Sequence, residues 1–341
     1  MSAPDAGLTQ AMKVAGALTG GAVKVSRLAT GGRNSRIWRV ESGERAFALK
    51  QYPSRRDDPR DRLNTEVGAL RLMERYRIDT VPRVVGIDSE HGYALLSWIE
   101  GRDVTAIGDA DVDAAVAFLT AIHALRTTPW AAEQPPAAEA CLCGFEIEQQ
   151  ISGRLARLRE VARSEEELVD FIDSSLSERF ASESAKAQRR VAAAGLAFDA
   201  ELPQEWRSLV PSDFGFHNSL RKRDGSLAFV DFEYFGWDDP VKLTADILLH
   251  PGRPLGVEQR RRFRDAATRL YGADPAFATR LSAYLSLFGL RWVLILLNEF
   301  IPERWQRRVL AGETSSWSDV KARQLAHARA FLAALAEKVE A

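Results

Sequence analysis

Three residues in one stretch, Asp213, Asn218 and Asp231, carry two carboxylates and an amide at spacings that invite chemistry. Asp213 and Asn218 stand five apart in a segment with Pro211 before it and Gly215 inside it, which predicts an ordered loop rather than a helix. Asp231 follows the apolar run Leu227 to Val230, which reads as a short buried strand ending at the carboxylate. Hard oxygen donors so placed make a pocket suited to Mg²⁺. Phosphoryl transfer uses this set: a loop aspartate takes the proton of an acceptor hydroxyl, while an amide and a second carboxylate hold the metal against nucleotide phosphates. Taken singly, each residue would pass for a turn or cap residue; the order, spacing and strand context point to the chemistry.

The elements that must position these groups are readable upstream. Val23 to Ala29, Ile37 to Glu41 and Ala46 to Gln51 alternate as three strands, the start of an antiparallel sheet. The turn between the first two, with Gly31, Gly32, Asn34 and Ser35, could lie over phosphates through its backbone N–H groups, or serve as a plain hairpin turn. It is neither a Walker A loop nor a full G-x-G-x-x-G. Between Pro59 and Tyr76 a helix is expected, with Leu63, Val67, Leu70 and Met73 on one stripe and Glu66 on that same stripe. An inward carboxylate needs a cation, and Lys50, at the end of the Ala46 to Leu49 alternation, is the natural partner. Val81 to Gly86 and Tyr93 to Trp98 supply two more strands.

The sequence D-x-x-x-x-N, then D-F-E, then D-P, borne by Asp213, Asn218, Asp231 to Glu233 and Asp239-Pro240, resembles the Brenner motif of the aminoglycoside phosphotransferase and choline kinase family. The resemblance covers about residues 25 to 300. It implies an α+β, bilobal protein-kinase-like fold, with a small antiparallel-sheet N-lobe (1–100) and a larger, mostly helical C-lobe (101–341) that carries an insertion at about 127–205. It further implies Asp213 as catalytic base, Asn218 and Asp231 as Mg²⁺ ligands, and Lys50, paired with Glu66, on the phosphates of ATP. Ser97-Trp98-Ile99-Glu100-Gly101 resembles the family's hinge, in which backbone groups near Ser97 and Ile99 would meet adenine. Two departures stand out: Pro211-Ser212 replaces the usual His-Gly before the base, and Leu243 stands where many members have aspartate, with Asp246 three residues later.

The acceptor is expected to be a small molecule bearing a hydroxyl. Seven residues separate Asp231 from Asp239, too few for the activation segment of a protein kinase, and no A-P-E follows. Glu233, Arg291 and Asn298 are candidate acceptor contacts; Arg291 and Asn298, seven apart on one helical face, could equally form a structural ion pair or cap. An arginine facing the acceptor would favour a neutral or anionic sugar-like alcohol over a polycationic aminoglycoside. A non-catalytic, pseudokinase-like nucleotide-binding module is the alternative.

Composition narrows the rest. With 46 basic and 47 acidic side chains, the chain lacks the electrostatic footprint of a nucleic-acid binder. Cys141 and Cys143 are its only cysteines, too few for a zinc site and too close for a disulfide framework, and the N-terminus has no signal-peptide pattern; a cytoplasmic location is expected. Leu281 to Ile301 is apolar but interrupted by Arg291 and Glu299, so it reads as a buried helix and no membrane contact is expected. Asp111 to Leu125 reads as an amphipathic helix whose His123 has a structural role. Residues 127–140 read as a linker, and Glu146 to about Ala194 as a solvated helical hairpin.

Overall fold

The computed structural model describes residues 6–28, 35–55, 58–311 and 313–340. The chain divides into two compact units. Unit 1 gathers Met1–Val104, Thr127–Ala138 and Pro211–Gly236; unit 2 gathers Thr105–Arg126, Glu139–Val210 and Trp237–Ala341. The first hundred residues therefore share their unit with two later segments, one of which carries Asp213, Asn218 and Asp231.

Unit 1 is built on an antiparallel sheet of β1 (Lys24–Arg27), β2 (Arg36–Ser42), β3 (Arg45–Gln51), β4 (Val84–Asp88) and β5 (Tyr93–Ser97), in the order β1-β2-β3-β5-β4. Alternation decides what each face does. Phe47 and Leu49 of β3 join Trp38, Val40, Tyr93 and Leu95 in a core covered by Ala11, Val14 and Ala15 of helix α1 (Ala6–Thr19). Lys50, one residue out of phase, points to the opposite face. Its register partners are Ile37 on β2 and Ala94 on β5. Helix α2 (Arg62–Arg75) starts at Asp61, whose carboxylate accepts from Asn64 N, and it buries Leu63, Glu66, Val67, Leu70 and Met73 as the stripe requires.

Two glycines allow the later segments of unit 1 to come in close. A Cβ on Gly101 would sit 3.0 Å from Leu220 Cβ, where Arg102–Asp103 pairs with Ser219–Arg221. On Gly236 it would fall 2.3 Å from Pro135 O, so only hydrogen fits under the 135–138 backbone. Ala138 N donates to Tyr234 O beside this crossing, and Arg75 stacks over Trp130 at 4.1 Å. Of the stretch 127–140, read as a linker from its prolines, residues 127–138 are thus packed structure, with Ala131 wholly buried.

Unit 2 is helical: α3 (Asp109–Ala124), α4 (Gly144–Val161), α5 (Glu166–Phe171), α6 (Ser177–Ala193), α7 (Pro240–Leu249), α8 (Val257–Leu270), α9 (Phe277–Leu296), α10 (Pro302–Ala311), α11 (Trp317–Ala333) and α12 (Leu335–Glu340). Helix α9 is the centre, with α4, α6, α7 and α11 packed on it. The segment Phe277–Phe300 is long and apolar enough to cross a membrane by composition, yet most of it is buried inside the fold, as the sequence suggests. Asp239 caps α7 by accepting from Val241 N at 2.9 Å and also receives Arg280 at 3.0 Å. The stretch expected to be a solvated hairpin is instead core-forming. Ile147, Ile151, Leu155 and Leu158 make a buried stripe on α4, and Ala187 and Val191 do the same on α6.

His123, at the end of α3, has the structural surroundings expected of it. Its Nδ1 lies 2.9 Å from Ser208 Oγ, and its ring meets Tyr271 edge-on at 5.0 Å. Burial, with Arg126 nearby, pushes its pKa down to about 4. The unfolded chain then binds a proton that the folded chain refuses, so this residue's stabilising contribution is present above about pH 6.5 and is lost as pH falls toward 4. Melting curves across that window should show His123→Asn losing less stability than the parent on acidification; identical pH profiles would remove His123 as the cause.

Candidate active site

The site is assembled within unit 1 around the Lys50 ammonium, which is 5% exposed and touches three carboxylates. Glu66 Oε2 on α2 and Asp231 Oδ1 both lie at 2.6 Å, and Glu233 Oε2 at 3.2 Å. Burial opposes the charge on Lys50, but Asp231, Glu233 and Glu66 outweigh it and hold its pKa well above the ordinary value. Glu66 is fixed from two further directions: Tyr52 Oη donates to Oε2 at 2.7 Å, and Phe232 N donates to Oε1 at 3.1 Å. The helix carboxylate therefore holds both the strand lysine and the backbone of the D-F-E segment.

Asp231 sits just past the strand Leu227–Phe229 with φ +71°, a left-handed conformation that aspartate tolerates better than most residues. That turn brings its carboxylate to Lys50. Burial, together with the neighbouring Glu233 and Glu66 charges, raises its pKa to about 7 against the pull of Lys50. Glu233 goes the other way. Burial alone would raise it, but Lys50, Arg62 and the Ser35 hydroxyl lower it, so Glu233 is the firmly ionised member of the pair.

The loop that carries Asp213 is pinned to this strand. Val230 N donates to Asn218 O at 3.0 Å, Ser219 Oγ to Gly215 O at 3.0 Å, and Phe214 packs on Phe229 with ring centroids 5.1 Å apart. Asn218 Nδ2 donates to Asp213 O at 2.8 Å, which fixes the orientation of the amide. Asp213 keeps a side chain that is 39% exposed, with His217 Nε2 3.1 Å from Oδ1. Ser212, standing where the family that the motif resembles usually has glycine, has φ +64°, a backbone state that glycine reaches without steric cost.

These groups fit a divalent metal. Among the described residues no donor takes Asn218 Oδ1 or Asp231 Oδ2, so one amide oxygen and one carboxylate oxygen, both hard donors, remain to be shared.

Other expected residues fall elsewhere. Gly31, Gly32 and Asn34 lie outside the described residues. Ser35, expected beside phosphates, donates to Glu233 Oε2 at 2.9 Å. Ser97 ends β5 and is bonded both ways to Arg83, through Ser97 N to Arg83 O at 2.8 Å and Arg83 N to Ser97 Oγ at 2.9 Å; Ile99 follows, half-buried. Two candidate acceptor contacts are engaged by protein groups. Glu233 is 2% exposed and spent on Lys50, Arg62 and Ser35. Arg291, in unit 2, is spent on Asp246 at 3.2 Å, Glu139 at 3.0 Å and Gln150 at 3.0 Å. Buried charges must be paired, and both found protein partners. Asn298 lies on the turn Leu297–Phe300, half-buried.

Arg62 is a site residue that the sequence pattern left unnamed. It is 1% exposed, bonds Glu233 and Asp58, and lies with its guanidinium 4.9 Å from the centre of the Tyr234 ring. It stands four residues before Glu66, so α2 meets the D-F-E segment through two opposite charges on one face.

Comparison with known proteins follows this geometry. The model of the phosphotransferase enzyme family matches residues 24–283, and the chain belongs to that family. A search of curated proteins found no match. Among solved structures, the chain is similar to choline kinase LicA from Streptococcus pneumoniae (17% identity, TM-score 0.59, covering 96% of this chain and 98% of the other). It is also similar to an ethanolamine kinase from Plasmodium vivax (12%, 0.56, 93% and 83%) and to spectinomycin phosphotransferase APH(9)-Ia, solved with ADP and spectinomycin (10%, 0.56, 93% and 98%). The fold class is the α+β, protein-kinase-like one of small-molecule kinases.

Proposed function

We propose that this phosphotransferase uses ATP and Mg²⁺ to phosphorylate a hydroxyl group of a small molecule. The observation that carries the reading is the single ammonium of Lys50 held 2.6 Å from both Glu66 and Asp231, a strand, helix and metal-loop junction of the kind kinases use on nucleotide phosphates. Lys50 would turn from Asp231 toward the α and β phosphates, while Glu66 keeps its hold on the ammonium. Asn218 and Asp231 would hold Mg²⁺, which when bound neutralises phosphate charge. Asp213, exposed at the loop, would orient the acceptor hydroxyl and take its proton late in a loose transition state. The similar structures are a choline kinase, an ethanolamine kinase and a spectinomycin phosphotransferase, which supports an alcohol acceptor.

The test is ADP release from Mg-ATP across a panel of amino alcohols, aminoglycosides and sugars. Turnover with one class supports the reading, whereas nucleotide-dependent stabilisation with no turnover on any would favour a binding module. Within that assay, Asp231→Ala should abolish the Mg²⁺ dependence of ATP affinity, because it removes a hard ligand. An unchanged Mg²⁺ titration would move the metal to other residues.

A further inference from the structure

Helix α4 packs on α9 and on the turn after it, and beside this packing unit 2 has an open pocket of about 350 Å³. That is the lower end of the range for small-molecule sites, about 300–1,000 Å³. Its polar wall comes from Arg154 and Arg157 on α4, Asn298 on the turn Leu297–Phe300, Arg304 on α10, and Glu139. Leu158, Leu294 and Ile301 give it an apolar floor.

Glu139 is the unusual member. It has φ +57°, a conformation uncommon outside glycine and kept only where the surroundings impose it. They do so here through one oxygen: Arg154 Nη2 at 2.6 Å and the buried Arg291 Nη2 at 3.0 Å both donate to Oε2. Although burial opposes ionisation, these two arginines hold the carboxyl down at about 2, so it stays an acceptor. Among the described residues no donor takes Oε1, and none of them engages the side-chain amide of Asn298 or Arg154 Nε and Nη1. Arg157 gives its terminal nitrogens to Glu160 and Glu303, which are 61% and 58% exposed; such surface pairs are weak and yield readily to a better anion. The wall thus offers planar polar groups with unspent bonding directions, three guanidiniums, and one carboxylate that is already neutralised twice.

We propose that this pocket is a binding site for a small polyhydroxy acid, its carboxylate on Arg154 and Arg157, and its hydroxyls on Glu139 Oε1 and the Asn298 amide. The forked guanidinium matches a carboxylate, and the floor receives the apolar face of a sugar-sized ring. A polycation finds no unpaired negative charge there. Calling the acid a phosphate acceptor would rest on the phosphotransferase reading; its binding does not.

Calorimetric titration of the full chain without nucleotide tests the site, with glucuronate and gluconate as probes, glucose as neutral control and an aminoglycoside as polycation. At least one acid should bind saturably and about tenfold or more tighter than glucose, and Asn298→Ala and Arg154→Gln should each weaken it about tenfold. Asn298 makes no side-chain bond to the described residues, so its variant should fold, and an unchanged melting temperature checks this. Absence of saturable binding by both acids, equal binding in both variants, or preference for the polycation would overturn the site. Failure of the phosphotransferase reading is seen separately, as absent ADP release while this binding persists.

Discussion

Asp213→Asn should leave nucleotide affinity within a few-fold of the parent and lower turnover by about 10² to 10⁴, the usual worth of a general base. The structure separates the two readouts. The loop is held by Asn218 Nδ2 on Asp213 O, a backbone contact that the substitution spares, and the amide oxygen can still face His217. What is lost is the ability to accept a proton. Calorimetry with ATP and a coupled ADP assay would measure both quantities. Near-parental turnover would remove Asp213 from the base role, and a parallel loss of ATP affinity would mean that the residue shapes the loop instead.

Lys50→Met should be the most damaging change to the fold of unit 1, and markedly worse than Glu66→Gln. The reason is the count of partners. Removing the ammonium strands Glu66, Asp231 and Glu233 with no common cation, and breaking a buried ion pair in this way costs about 3–5 kcal/mol. Glu66→Gln leaves Lys50 with two carboxylates, and the amide can still accept from Tyr52 or Phe232 N. Effects on ATP affinity should be non-additive in the double variant, because both changes act on one contact. The pH dependence has a defined sign. Without the ammonium, the charge that opposes the effect of burial on Asp231 and Glu233 is gone, so these carboxylates gain protons on folding, and the Lys50→Met deficit should be largest at pH 7 and above and should shrink as pH falls toward 4. A deficit independent of pH would show that packing, rather than charge, was lost.

Much of this site was legible because its logic is local. Lys50 follows from strand alternation, Glu66 from a carboxylate on an apolar stripe, and Asp213, Asn218 and Asp231 from spacing around one loop and strand, and the structure brings Lys50, Glu66 and Asp231 into direct contact. Arg62 shared Glu66's face and was a readable signal of the same kind. What local pattern did not disclose depends on partners far along the chain. Glu233 meets Arg62 across 171 positions, and Arg291 meets Glu139 across 152, so neither could be told from an acceptor contact by spacing. The α4 segment misled for another reason: its glutamates and arginines dominate composition, while Ile147, Ile151, Leu155 and Leu158 form a stripe that composition does not register. Helix α1 buries small residues, Ala11 and Ala15, which carry little pattern.

The discontinuous make-up of unit 1 has a consequence for its birth on the ribosome. Lys50 and Asp231 are 181 residues apart, with the 105–126 and 139–210 segments of the helical unit between them. At about 5–20 residues per second, the strand bearing Lys50 emerges roughly 10–40 seconds before the aspartate that will face it. During that interval the nascent sheet can settle its α1 side, whose residues are all at hand, whereas of the three carboxylates around Lys50 only Glu66 is available. The half of the unit around Lys50 is therefore expected to close last, and a chain stalled before residue 211 should present a sheet with one finished face and a hydrated, accessible lysine on the other.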